Sequence, residues 1–209
     1  TDPAQCQHLV DTTVRECGGL DILINNAGVS AHANFEDVPA DKLVWYEQLM
    51  RVNLWGSIYC THAAIPHLKQ TQGRIVALSS LAGLVGIPGR TAYCASKFAM
   101  TGFFEALRTE LKDSGVSVTV AYPGVVDTQI RRRGLNAMGE TAGESGLRED
   151  NAMTTQECAR LIIDAMVRRK REVVMTFKGK WGRWVKLMAP GLVDHMALAA
   201  VKANFRPRA

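Results

Sequence analysis

Apolar and polar positions along the chain follow two kinds of pattern, one helical and one typical of buried strands. Residues 4–17 carry Leu9, Val10 and Val14 among polar side chains, a spacing that predicts an amphipathic helix. Longer stretches with a similar period predict further helices over 41–70, 91–112 and 155–169. Because proline lacks a backbone N–H, we expect Pro66 to bend or end the regular part of the first of these.

Short apolar runs lie between the predicted helices. They occur at 22–24, in "GRIVALSS" (73–80), in "GVSVTVAYPG" (115–124) and in "EVVMTF" (172–177). Runs of this length, with β-branched residues and bounding glycines, are typical of buried strands in a parallel sheet. The alternation of strand and helix therefore predicts an α/β fold with a doubly wound, mostly parallel sheet.

Small polar residues and glycines follow three of the predicted strands. They are "NNAG" (25–28), the pair Ser79 and Ser80, and the pair Pro123 and Gly124. In a doubly wound sheet, ligands bind beyond the carboxyl ends of the strands. The pattern therefore predicts a functional site at that edge.

The remaining sequence contains one long polar segment and a distinct end. Residues 131–155 are polar and glycine-rich without a clear period, so we expect either a lid or a disordered insert there. No internal repeat is visible. We expect one domain over residues 1–180, followed by a basic, Trp-containing extension over residues 181–209.

Charge is unevenly distributed along the 209 residues, whose net charge is +5. Residues 1–167 hold 14 Lys and Arg against 18 Asp and Glu, whereas residues 168–209 hold 11 against 2. A basic end of this kind suits phosphates, nucleic acid or an anionic membrane surface. The alternative is a basic end that is simply solvated.

Cysteine usage and hydropathy indicate the compartment. Five cysteines are scattered without C-x-x-C spacing, which favours a reducing compartment over a disulfide framework or a zinc site. No charged-then-apolar leader opens the sequence, and no run approaches the ~18 apolar residues of a membrane-spanning helix. We therefore expect a cytoplasmic protein, whose contact with a membrane would be peripheral.

Tyr93 and Lys97 lie four positions apart in the helix predicted over 91–112, which puts both side chains on one face. On its own such a pair is more typical of a helix surface. A tyrosine hydroxyl, with a pKa of about 10, is a poor acid or base at neutral pH, and a nearby ammonium favours the phenolate. Ser80, at the end of a neighbouring strand, is a candidate to hold a substrate oxygen while the tyrosine exchanges its proton.

Five short motifs occur together in one order, namely "NNAG", "RVNLWG", "SSLAG", "YCASK" and "PGVVDT". In order and spacing they resemble the short-chain dehydrogenase/reductase family, over essentially all of residues 1–180. The resemblance implies a Rossmann-like fold and reversible hydride transfer between a nicotinamide cofactor and an alcohol or ketone.

The resemblance also implies a role for each matching catalytic residue. Tyr93 would be the general acid and base, and Ser80 would orient and polarise the substrate oxygen. Lys97 would lower the pKa of the tyrosine and hydrogen-bond the nicotinamide ribose. Asn53 would hold, on its backbone carbonyl, a water that leads a proton path from the lysine to solvent. Two alternatives stay open, because Asn53 could make only a local hydrogen bond and Ser79 could be the relevant serine.

Two further sets of residues match the family's cofactor contacts. The turn under the adenosine side corresponds to Asn26, Ala27 and Gly28, which could also be no more than a tight turn. The loop at the nicotinamide end corresponds to Pro123, Gly124, Val126 and Thr128. In that loop, Thr128 would hydrogen-bond the carboxamide.

One family motif has no counterpart in the chain, the T-G-x-x-x-G-x-G turn that receives the pyrophosphate. From this we expect that roughly sixty residues of the first βαβ portion are missing and that the sheet lacks its first strands. The residue that chooses between NAD and NADP belongs to that portion. The cofactor is therefore NADP or NAD, with NADP favoured only through the branch resemblance below.

The sequence "KGKWGRWVKLMAPGLVDHMALAA" near the C-terminus mixes Lys, Arg and Trp with apolar residues. It resembles the 11β-hydroxysteroid dehydrogenase and lipid-carbonyl reductase branch, which implies a hydrophobic, steroid- or lipid-like substrate. The mixture suits a membrane interface, and closing the substrate pocket or packing on a sister subunit is the alternative.

The partners that we expect are a small carbonyl or alcohol substrate and further copies of the chain, as a homodimer or homotetramer. We expect no nucleic-acid partner, because no recognised module accompanies the charge. A second hypothesis from another class is a cofactor-free remnant that acts as a membrane- or partner-binding protein.

Overall fold

The computed structural model of the protein describes residues 1–145 and 152–204. In chain order the elements are α1 Pro3–Cys17, β1 Ile22–Asn25, α2 Val44–Met50, α3 Gly56–Thr71, β2 Arg74–Leu78, α4 Thr91–Glu110, β3 Ser117–Tyr122, α5 Thr155–Val167, β4 Glu172–Val174, α6 Phe177–Met188 and α7 Pro190–Asn204. The predicted alternation of strands and helices is confirmed, and the predicted ends differ from the observed ones by a few residues.

The four strands form one parallel sheet in the order β1-β2-β3-β4. In register, Ile24 lies beside Val76 and Ala121 lies beside Val173. Parallel neighbours need crossover connections, which the helices between the strands supply. The strands therefore end at one common edge of a Rossmann-like α/β sheet, as the sequence predicted.

Helices pack on both faces of this sheet. On one face, α1, α3 and α4 bury the side chains of the main core, which include Val10, Leu68, Ile75, Phe104, Val118, Val120 and Tyr122. On the other face, α5 packs Ile162 and Met166 against Val76 and Ala121. In β1, at the sheet edge, Ile22 and Ile24 remain 40% and 45% exposed.

One turn of π-helix, Arg51–Trp55, joins α2 to α3 and contains Asn53. Pro66 lies inside α3, which continues to Thr71. The helix therefore does not end at the proline, and a departure from α-helical geometry lies just before α3, in the π-turn. Such turns widen the helix locally and are frequent at functional sites.

The first half of the predicted lid or insert, residues 131–145, packs against the rest of the domain. The Leu135 N–H donates to the Ser30 carbonyl at 2.9 Å, and the indole N–H of Trp45 donates to a backbone carbonyl of the segment at 3.3 Å. Residues 131–145 therefore pack over the loop that follows β1. Residues 146–151 of the same prediction lie outside the described residues.

The C-terminal helices pack on the domain, and α6 does so beside β4. Gly179 of α6 is buried against Leu81 and Val174, and the Lys186 ammonium donates to the Leu84 carbonyl at 2.9 Å. Helix α6 spans residue 180, at which we predicted a boundary. Across residues 1–145 and 152–204, no helix combines the length and the apolar character needed to cross a membrane.

Candidate active site

A cleft of about 390 Å³ opens at the carboxyl edge of the sheet. Its volume is typical of sites that bind small molecules. The lining includes Asn26, Gly28, Ser79, Ser80, Arg90, Tyr93, Lys97, Pro123, Gly124, Val126, Thr128 and Ile162. The structure thus brings together the predicted catalytic serine, tyrosine and lysine with most of the predicted cofactor contacts.

Tyr93 and Lys97 lie one turn apart on α4, and the face that carries them turns into the protein. Tyr93 is 7% exposed and Lys97 is 4% exposed. The ammonium nitrogen of the lysine lies 5.7 Å from the centroid of the tyrosine ring. This burial excludes the alternative of an ordinary surface pair.

The Lys97 ammonium sits in a site that does little to stabilise its charge. It donates to the Leu78 carbonyl at 2.7 Å and approaches the Met100 sulfur at 3.5 Å. Burial lowers the pKa of Lys97 from 10.5 to about 8. The group therefore holds its proton at neutral pH and releases it in mildly alkaline solution.

Opposing effects act on the Tyr93 phenol. Burial has the largest effect and raises its pKa, and the nearby Cys94 thiol acts in the same direction. The Arg90 guanidinium, hydrogen bonding with Ser80 and the Arg131 guanidinium act to lower it, in that order. Burial outweighs them, so the net shift is upward. The spacing to Lys97 indicated only the lowering of the pKa by a nearby cation, and the desolvation that outweighs such effects in the protein alone was not visible in it.

The two serines after β2 differ in the hydrogen-bond partners of their hydroxyls. The Ser79 hydroxyl donates to the Lys97 carbonyl at 3.0 Å and hydrogen-bonds the Thr101 hydroxyl at 3.1 Å. The Ser80 hydroxyl accepts from the Ala82 N–H at 3.2 Å and is partly exposed in the cleft. Because α4 engages the first hydroxyl, Ser80 is the better candidate to contact a substrate.

Asn53 is fully buried and links three parts of the site. Its side chain accepts from the Val29 N–H at 2.8 Å and donates to the Val29 carbonyl and the Ser96 hydroxyl, both at 2.9 Å. Its backbone carbonyl accepts from the Ser57 hydroxyl at 3.1 Å. The side chain therefore joins the π-turn to the loop after β1 and to α4, which is more than the local bond of the alternative interpretation. The water relay stays a prediction.

The turn after β1 approaches the site closely at Gly28. A Cβ on this residue would lie 3.1 Å from the Asn53 amide oxygen and 3.7 Å from the Lys97 ammonium nitrogen. Asn26 lines the cleft as well, whereas Ala27 is exposed and is not among the lining residues. The glycine thus keeps open a space that a side chain would fill.

Arg90 is a component of the site that the sequence analysis did not single out. It precedes α4 as its N-cap residue, and its guanidinium carbon lies 4.6 Å from the centroid of the Tyr93 ring. The side chain donates to the hydroxyl of Ser30, which is 2% exposed. The spacing of three residues between Arg90 and Tyr93 was a usable signal, but the contact with Ser30 depends on tertiary structure alone.

A parallel α/β sheet with a ligand-sized cleft at the carboxyl ends of its strands is typical of doubly wound proteins, which bind their ligands at that edge. In this protein the cleft also holds two buried titratable side chains, Tyr93 and Lys97. A family model described as short chain dehydrogenase matches residues 1–138. The chain belongs to the short-chain dehydrogenase/reductase family.

Curated relatives are similar over most of the chain. An 11-beta-hydroxysteroid dehydrogenase-like protein 4A of Arabidopsis thaliana is 36% identical over 90% of this chain and 60% of its own length. An 11-beta-hydroxysteroid dehydrogenase A of Arachis hypogaea is 32% identical over 92% of the chain and 56% of its own. A dehydrogenase/reductase SDR family member 7B of Mus musculus is 34% identical over 86% of this chain and 55% of its own length. The chain thus spans about 60% or less of these relatives.

Proposed function

We propose that the protein is an NAD(P)-dependent oxidoreductase that transfers a hydride between a nicotinamide cofactor and an alcohol or ketone. The observation that carries this proposal is the convergence of Ser80, Tyr93 and Lys97 in one cleft at the carboxyl edge of the sheet. The family to which the chain belongs supports the class of reaction.

Tyr93 moves the proton in this proposal. In carbonyl reduction its hydroxyl gives a proton to the substrate oxygen, and in alcohol oxidation the phenolate takes that proton back. Ser80 holds the same oxygen through its hydroxyl. Lys97 supplies positive charge on one side of the ring, at 5.7 Å from the centroid. Asn53 fixes the loop beside the lysine, and its backbone carbonyl is the candidate acceptor for the relay water.

The residues of the cleft fit the nicotinamide half of the cofactor. The space kept open at Gly28 borders the Lys97 ammonium, which has three donors and uses two in the contacts to Leu78 and Met100. Lys97 would therefore hold the ribose. Pro123, Gly124, Val126 and Thr128 would contact the nicotinamide, and Asn26, Ala27 and Gly28 the adenosine side. When bound, the cofactor supplies or accepts the hydride.

The substrate that we propose is hydrophobic and steroid- or lipid-like. Apolar side chains line much of the cleft, among them Leu78, Val126, Ile130 and Ile162. Two of the relatives are named for 11-beta-hydroxysteroid dehydrogenases. The resemblance to the same branch supports NADP in preference to NAD. We also propose that the protein is a homodimer or homotetramer and that it is cytoplasmic.

The proposal is tested by following cofactor oxidation in the full protein with a steroid ketone and with acetone. We expect turnover of the steroid at a much lower KM than acetone. Tyr93→Phe should lower the rate by a factor of at least about 100, since it deletes the proton-transfer group. Tyr46→Phe is the matched control, because the Tyr46 hydroxyl bonds Thr91 outside the cleft lining. Full activity of the Tyr93 variant would overturn the assignment.

A second candidate function, contact with a membrane surface, is favoured by the orientation of α6. Phe177, Trp181, Trp184 and Met188 follow one another at spacings of four, three and four, and they are 76%, 60%, 60% and 88% exposed. This helix turns its apolar stripe to solvent, and it turns Gly179, Arg183 and Lys186 to the protein. Aromatic and apolar side chains flanked by exposed Lys178 and Lys180 suit an anionic lipid surface. This function is compatible with catalysis, or with a cofactor-free remnant that only binds membranes or partners.

Vesicle co-sedimentation of the full protein tests the membrane contact. We expect binding that rises with the fraction of anionic lipid and falls in the double variant Trp181→Ser, Trp184→Ser. The matched control is Trp55→Ser, because Trp55 is also exposed but lies in the π-turn. If the double variant binds vesicles normally and instead loses its dimer, the stripe covers a sister subunit and the membrane proposal is wrong.

A further inference from the structure

Two cations lie near the ring of Tyr93, and the sequence indicated only Lys97. Lys97 approaches its ring from one turn further along α4, and Arg90 approaches from the start of that helix. The guanidinium carbon is the closer of the two to the ring centroid, at 4.6 Å against 5.7 Å for the ammonium nitrogen. A cation at this distance over an aromatic ring is attracted to the neutral ring and more strongly to a phenolate.

The position of Arg90 is fixed by tertiary contacts. Its Nη2 donates to the hydroxyl of Ser30, and its Nε donates to the Ala31 carbonyl at 3.5 Å. The loop that carries these acceptors is itself held, because the Ala33 N–H donates to the Gly89 carbonyl at 2.8 Å. The guanidinium is therefore a preorganised charge rather than a mobile side chain.

The charge of Arg90 is retained despite its burial. Burial lowers the pKa of the guanidinium, but arginine stays protonated in proteins throughout the working range of pH. Lys97, by contrast, has a pKa of about 8. Of the two groups that flank the ring, the arginine is thus the cation whose charge does not depend on pH.

We propose that Arg90 is a positioning residue for Tyr93, whose guanidinium, anchored by Ser30 against the ring, stabilises the phenolate left when the hydroxyl proton passes to a substrate oxygen. The other groups that act on the phenol are Ser80, Cys94, Lys97 and Arg131. The significance of this for catalysis rests on the proposed function, whereas the electrostatic effect on Tyr93 does not.

The test measures the ionisation of residue 93 directly. A ring-fluorinated tyrosine, which is more acidic than tyrosine, is incorporated at position 93 of the full protein and titrated by fluorine NMR. Arg90→Met should raise the apparent pKa of this residue by about one to two units, a ten- to hundredfold loss of phenolate at a given pH. Arg90→Lys should recover more than half of the shift. Arg15→Met, which removes an exposed charge on α1, should leave it unchanged.

The sign of the shift separates the proposal from a merely structural role. If Arg90 only held the loop, its loss would admit water around the phenol, relieve the burial and lower the pKa. An unchanged or lowered pKa in Arg90→Met therefore overturns the proposal. Ser30→Ala keeps the charge and frees its anchor, so a smaller rise is expected, and the absence of any rise in this variant also contradicts the proposal.

Activity measurements distinguish this inference from the proposed function. A protein that shows the predicted titration but reduces no carbonyl substrate would refute the proposed function and leave the effect of Arg90 on Tyr93 intact. A protein that reduces carbonyls through Tyr93 but shows no shift in Arg90→Met would refute the role of Arg90 alone.

Discussion

Replacing Lys97 with methionine should make the fold more stable at neutral pH while it removes a residue of the candidate active site. Lys97 is 4% exposed, and burial lowers the pKa of its ammonium from 10.5 to about 8. A folded-state pKa below the unfolded value means that the unfolded chain holds the proton more tightly. The burial of this charge therefore costs stability at any pH at which the unfolded lysine is protonated.

The size of this cost follows from the shift. Lowering the pKa of Lys97 from 10.5 to about 8, at about 1.4 kcal/mol per pKa unit, costs the folded state about 3 kcal/mol near pH 7. Methionine has a similar length and reaches the same pocket, but it gives up the 2.7 Å hydrogen bond to the Leu78 carbonyl, worth about 1–2 kcal/mol. We therefore expect Lys97→Met to be more stable than the wild type by on the order of 1–2 kcal/mol near pH 7.

The pH dependence provides the sharper test. The cost of burying the charge is fully present below the folded pKa and disappears as pH rises through the unfolded pKa. The stability advantage of Lys97→Met should thus shrink by about 2 kcal/mol between about pH 7 and about pH 9.5. Groups that titrate identically in both proteins cancel in this difference.

Urea unfolding followed by circular dichroism at the two pH values measures the effect. Lys69→Met, which removes an exposed lysine from α3, is the control and should give the same difference at both. A stability difference for Lys97→Met that does not change between the two pH values would refute the reasoning. So would a variant that is markedly less stable than the wild type at neutral pH.

Three further substitutions probe packing around the site and under α6, the first two by urea unfolding and the third by tryptophan fluorescence. Asn53→Ala should cost about 2 kcal/mol, because it leaves backbone groups of the loop after β1 without their partner. Gly83→Ala should cost about 3 kcal/mol, since a Cβ would overlap the α4 backbone, whereas Gly86→Ala, with open space around it, should be nearly neutral. Gly179→Ala should loosen α6 and change its tryptophan fluorescence, and Gly182→Ala should not; equal effects within either glycine pair would contradict this account.

The sequence was sufficient to predict those features that depend on local pattern. The apolar runs that became β2 and β3 are short, β-branched and bounded by glycine, so strands were the consistent interpretation. The place of Ser80 at the carboxyl edge followed from topology, because parallel strands end at one edge of the sheet, whereas the spacing alone did not demonstrate its convergence with Tyr93 of α4. Family membership then confirmed the resemblance that the motifs had indicated.

Features that depend on tertiary packing could not be predicted in this way. Asn53 in the π-turn contacts Val29 and Ser96, which are distant from it in sequence. The outward apolar stripe of α6 reads as an ordinary amphipathic pattern until the packed face is known. The upward pKa shift of Tyr93 arises from burial, whereas the spacing to Lys97 indicated only the opposing charge.

The two cations beside Tyr93 contribute to stabilising a phenolate over different ranges of pH. Below about pH 8 both carry charge, and the buried ammonium of Lys97 is held at a cost to the fold. Above that pH the lysine loses its proton while Arg90 keeps its charge. If the phenolate depended on Lys97 alone, its stabilisation would fade in the alkaline range in which tyrosine begins to ionise. A guanidinium fixed by Ser30 prevents that loss, which gives the inferred role of Arg90 a physical basis independent of the substrate.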